Sequence, residues 1–143
     1  MIDIQTITKS DLGRLTAFHS GGIYMSQSIT NPRLYRIGET LSLSSRQTTH
    51  RKKAEQVKEG KSLNWTVQNR PWNFIWALSI PEASRLSLLM CEHHLYSAIA
   101  REFKFVSKSG FEAIELRQQR LLEIAGNSIP AMIEIVGRQQ KNE

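Results

Sequence analysis

Three residues, Gly126, Asn127 and Ser128, separate two apolar stripes of helical spacing near the end of this 143-residue chain. Upstream, Phe111, Ile114, Leu121, Leu122 and Ala125 fall on one helical face, and downstream Ile129, Met132, Ile133 and Val136 do the same. Ser109, Gly110, Phe111 and Glu112 have capping-box spacing, which predicts a helix that starts near Gly110. Gly126 suits the left-handed backbone that ends a helix. Ser128 suits the cap of the next one, and Pro130 its first turn, where a missing N–H loses no bond. Before the first helix, Phe103 and Phe105 lie on one side of an extended segment, with Lys104 and Lys108 on the other. Residues 101–141 therefore read as strand, helix, tight turn and helix.

The whole chain bounds what surrounds that unit. Its length fits one domain, or a small domain with an extension. At 40% hydrophobic and 22% charged residues, it has a globular composition and can bury a core without disulfides. Two regions are expected: a mixed region over 1–80 that carries a basic arm at 46–61, and a region over 81–143 with a helix ahead of the strand–helix–helix unit. The expected fold class is α+β, mainly helical with short strands. The single cysteine, Cys91, excludes an intramolecular disulfide and fits a reducing compartment. No apolar run approaches the roughly 20 residues that span a bilayer. The start, MIDIQTITKS, has neither a basic lead nor an apolar signal core. These features predict a cytoplasmic protein with no membrane partner. A net charge of +6 and a pI near 9.8 point toward polyanions.

With that charge, the order strand, helix, Gly-x-Ser turn and helix resembles the ribbon-helix-helix family of dimeric DNA-binding regulators. The resemblance covers under a third of the chain and rests on Gly126, Asn127 and Ser128 together with the pattern around them. It implies a homodimer, with higher oligomers on DNA as an open alternative. In that family the ribbon pairs with the same strand of a second subunit, its outward side chains read the major groove, and the start of the second helix grips a phosphate. By position, Lys104 and Lys108 become ribbon residues, Arg101 joins them as a DNA contact, and Val106 faces base edges. Asn127 and Ser128 fall at the phosphate-binding helix start. The implied function is a sequence-specific transcriptional regulator on double-stranded DNA, with no cofactor.

The rest of the chain offers further elements. Ile2, Ile4 and Ile7 suggest a strand, the run from Ser10 a short helix through Leu15 and Phe18, and Gly21–Gly22 a turn. A strand pair is expected around 34–37 and 40–43, with Gly38 and Glu39 as the turn between. Arg33 and Arg36 beside Tyr35 suit a strand with solvated edges, or a nucleic-acid surface with an aromatic stacker. Residues 46–61 hold six Lys or Arg against two Glu. They form a solvated helix or linker, or a basic arm in which Arg51, Lys52 and Lys53 contact DNA phosphates. Trp65, Trp72, Phe74 and Trp76 suit core packing, with a base-stacking platform as the alternative. Residues 74–80 are apolar on both faces and read as a buried strand, which is also the second candidate for the ribbon. A capping box at Ser79 opens a helix to about Ala100 with Leu86, Leu89, Met90 and Ile99 in its buried stripe.

Catalytic chemistry is sparse in the sequence. Cys91, His93 and His94 are close in the chain, but neighbouring helical residues diverge by about 100° and cannot share one ion. No further ligand pair completes the four that a structural zinc wants. A Cys91–His94 nucleophile pair has no orienting acid, and His19 and His50 are isolated. The expectation is therefore a DNA-binding protein without enzymatic activity. The alternative is a small basic adaptor that meets another protein or RNA.

Overall fold

The structure, a computed structural model, describes residues 5–7, 20–29, 31–46, 72–81, 83–105, 110–112 and 117–141. The fold is α+β. Three long antiparallel strands form the centre of the sheet: β2 (Gly22–Ser28), β3 (Leu34–Thr40) and β4 (Trp72–Ser79). Two three-residue strands, β1 (Gln5–Ile7) and β5 (Gly110–Glu112), line the edges, giving the order β1-β4-β2-β3-β5. Three helices follow β4 in the chain: α1 (Arg85–Ala100), α2 (Gln118–Asn127) and α3 (Ile129–Lys141). None of the described helices is long and apolar enough to cross a membrane.

Alternation along the strands sorts their side chains between two faces. Ile23 and Met25 of β2 and Tyr35 and Ile37 of β3 join the helical core with Leu88, Cys91, Leu95 and Ile99 of α1. Leu121, Ile124 and Ala125 of α2 and Met132 and Val136 of α3 complete that core, which draws on both sides of residue 80. The opposite face carries a second cluster of Tyr24, Leu43, Phe74 and Ala77. β4 serves both because the register slips between Met25 and Ser26. Trp76 and Leu78 pair with Met25 and Ile23 on the helical side, while Trp72 and Phe74 pair with Ser28 and Ser26 on the other.

Several sequence expectations are met and others are corrected. β4 is the buried strand that its apolar run predicts, but it lies between β1 and β2. Its pairs within this chain are β2 along one side and β1 along Ala77–Ser79 of the other. α1 ends at Ala100 as expected, yet its cap is Ser84, whose Oγ accepts from the Ser87 N–H at 3.1 Å. The later start rotates the stripe: Leu88, Cys91, Leu95 and Ile99 are buried, while Leu86, Leu89 and Met90 are exposed. β3 runs unbroken through Gly38 and Glu39, so there is no turn there. The turn of that hairpin falls between Ser28 and Leu34, where the Leu34 N–H reaches the Asn31 carbonyl at 2.9 Å. Gly22 opens β2 instead of turning the chain, because any Cβ there would overlap the Leu78 carbonyl.

The C-terminal unit is rearranged too. Gly110–Glu112 pairs with β3 instead of starting a helix, filling backbone groups that the β3 edge would leave open. α2 continues through Gly126, which is not left-handed, and through Asn127. Ser128 is right-handed helical and buried, and its Oγ donates to the Ile124 carbonyl at 2.8 Å instead of capping α3. Phe103 is buried in this chain's own core, and the ring of Phe105 lies 4.0 Å from that of Tyr96.

Candidate active site

The second face of the sheet gathers polar groups that the sequence scatters. Tyr24 points there from β2, and its ring stacks on Phe74 at 4.7 Å with the planes 15° apart. Across the β2–β3 ladder Tyr24 meets Gly38, the one residue small enough to admit its ring and hydroxyl. One pair further along, Ser26 lies opposite Arg36 on one side and Phe74 on the other. Trp72 follows opposite Ser28, and the Arg36 guanidinium carbon lies 6.0 Å from its ring centre. That is the outer reach of a cation–π contact.

Several groups here are buried without a hydrogen-bond partner among the described residues: Ser26 Oγ, Arg36 Nε and Trp72 Nε1, all donors. Such a donor costs roughly 1–3 kcal/mol when left unmet, so three on one face call for an acceptor. Glu39 belongs to the helical face, opposite Ile23, where one oxygen holds Arg85 at 2.9 Å and Oε2 has no partner among the described residues.

Burial pushes the pKa of the Tyr24 phenol up; the charges of Arg36 and Arg46 pull it down, and those of Glu92 and Glu39, on the helical side of the sheet, add a smaller push upward. Arg46 comes from the helical turn after β3, where its N–H reaches the Ser42 carbonyl at 3.1 Å. Leu43 anchors that turn in the Tyr24 cluster.

The sequence-predicted residues sit elsewhere. Arg101 caps α1, and Asn127 is exposed at the end of α2. With Ser128 these two line a cleft shared with His94 and Arg120. Lys104 is exposed and does not line that cleft. Arg51, Lys52, Lys53 and Lys108 lie outside the described residues, as does Trp65. Cys91 is buried against the Met132 carbonyl at 3.8 Å, and its thiol is pushed up to about 11 by burial. Sequence reasoning missed Tyr24 and Ser26 as functional residues, and weighed Arg36 only as part of a surface. Pairing the strand from Gly22 with the one from Leu34 would have set Tyr24 opposite Gly38, the available signal.

Comparison with protein-family models, with curated proteins and with solved structures finds no match for this chain.

Proposed function

We propose that the protein binds nucleic-acid phosphate on the Tyr24 face of the sheet. The observation that carries this reading is three buried donors without partners among the described residues, Ser26 Oγ, Arg36 Nε and Trp72 Nε1, on one face beside the Tyr24 stack. An arginine with N–H and O–H donors beside it suits the non-bridging oxygens of a phosphate. The net charge of +6 favours a polyanionic ligand over a small neutral one.

The dimeric-regulator reading shares the nucleic-acid partner but sets the contact at Lys104 on a ribbon between subunits. Phe103 and Phe105 pack within one chain, which favours the sheet as the working surface. Fluorescence anisotropy with a labelled duplex at one salt concentration tests the proposal. We expect Arg36→Ala to weaken binding by about tenfold and Lys104→Ala to leave it within a few-fold of the parent. Affinity lost in Lys104→Ala and kept in Arg36→Ala would move the contact off the sheet and favour the dimeric regulator.

A further inference from the structure

A second feature lies away from the sheet, in a cleft of about 260 Å³ between α1 and α2. Positions 94, 98 and 101 share one face of α1, and positions 120, 124 and 127 share one face of α2, each at helical spacing. We infer that this cleft is a phosphate-binding site formed by the side chains of Arg101, His94 and Asn127.

Charge bookkeeping in the cleft leaves one cation over. Glu102 is taken by Arg120, through Nε at 2.8 Å and Nη2 at 2.5 Å, and by Arg117 at 3.5 Å. Arg120 also reaches Glu123 at 3.3 Å. Three guanidinium groups, with Arg101, thus face two carboxylates, and Arg101 is the one without an acidic partner among the described residues. The side chains of His94 and Asn127 likewise make no hydrogen bond or ion pair among those residues. A guanidinium fork, an amide NH₂ and an imidazole N–H approach from two helices, an arrangement suited to a tetrahedral oxyanion. The Arg120–Glu102 pair fixes the floor and keeps Glu102 from folding back onto Arg101. Ser128 takes no part, since its hydroxyl is given to Ile124 and its N–H to the carbonyls of Ile124 and Ala125.

The phosphate can come from a nucleic-acid backbone or from free phosphate, and one experiment separates them. Nitrogen-15-labelled full-length protein is titrated with inorganic phosphate, with a short DNA duplex, and with sodium chloride at matched ionic strength. Chemical shifts of the His94 ring and the Asn127 side-chain amide are followed. Saturable shifts with phosphate or duplex, absent with chloride, are expected. Arg101→Ala should weaken the response by about tenfold or more, the scale of a lost charge-assisted pair. Arg101→Lys should recover part of it. Response to duplex alone assigns the site to a backbone, and response to inorganic phosphate assigns it to a free anion. Linear, chloride-like shifts, or a saturable response unchanged in Arg101→Ala, would overturn the site. Arg101 is exposed, so its variants should melt with the parent protein. Arg36 does not line this cleft, so a failure here is distinct from a failure on the sheet.

Discussion

Tyr24 and Gly38 face each other across the β2–β3 ladder, and a methyl group at Gly38 would overlap the Tyr24 ring and hydroxyl. Gly38→Ala must therefore push Tyr24 off Phe74 or part the strands. Overpacking of this kind costs about 1–3 kcal/mol. Urea unfolding should show that loss, and an unchanged midpoint would mean that the ring has room to move.

Tyr24→Phe separates the ring from the hydroxyl. The phenylalanine keeps the stack on Phe74, so the urea midpoint should move by the equivalent of about 1 kcal/mol, the net worth of a hydrogen bond. Duplex affinity, read by fluorescence anisotropy, should stay within a few-fold of the parent, because the unpartnered donors beside it are untouched. A loss of tenfold or more would give the hydroxyl a direct contact with the ligand.

Ser128 and Ser84 make opposite predictions from what their sequence contexts suggest. Ser128→Ala removes a buried bond to the Ile124 carbonyl and should cost roughly 1 kcal/mol with duplex affinity unchanged. Ser84→Ala removes the α1 cap, also about 1 kcal/mol. Chemical denaturation and fluorescence anisotropy on the same two variants check both statements.

Glu102 gives the acid side of the stability profile a specific contributor. Its hydrogen bond from Arg120, and the nearby charges of Arg120 and Arg117, hold its pKa below the usual carboxylate value. A carboxyl depressed in the folded state stabilises above its unfolded pKa of about 4.3, and that contribution fades as pH falls through the folded value. Melting temperatures should drop more steeply below about pH 4 in the parent than in Glu102→Gln. Parallel curves would show that the pair contributes nothing.

The Cys91 thiol, pushed up to about 11 by burial, should resist a thiol reagent at neutral pH and react at once in urea. Fast labelling of the native protein would place it at the surface.

Legibility of the sequence followed local physics. The run from Phe74 to Ile80 announced β4 because apolar residues on both faces leave no other home for the segment. α3 was likewise visible from Met132 and Val136, both buried. α1 was misphased because apolar residues lie all round it, so Leu86 and Leu89 looked as much like core as Leu88 and Leu95. Glycine misled three times. Gly22 reads as a turn and opens β2, Gly38 reads as a turn and instead makes room for a cross-strand ring, and Gly126 reads as a stop and is passed through. Strand β5 was hidden because the need it meets, an open β3 edge, is nowhere near it in the chain. The Tyr24 site was hidden for the same reason: its groups come from β2, β3 and β4, and only pairing brings them together.

The register slip in β4 works as a phase switch. Upstream of it one parity of residue faces Tyr24, and downstream that parity faces the helices. A strand with no slip would send Phe74 and Trp76 to the same side and leave either the Tyr24 stack or the helical core short of a ring. Losing the single residue Ile75 would thus restore regular pairing with both halves' addresses kept. Substitutions along β4 test packing one position at a time; a deletion there tests the frame in which the sheet is written.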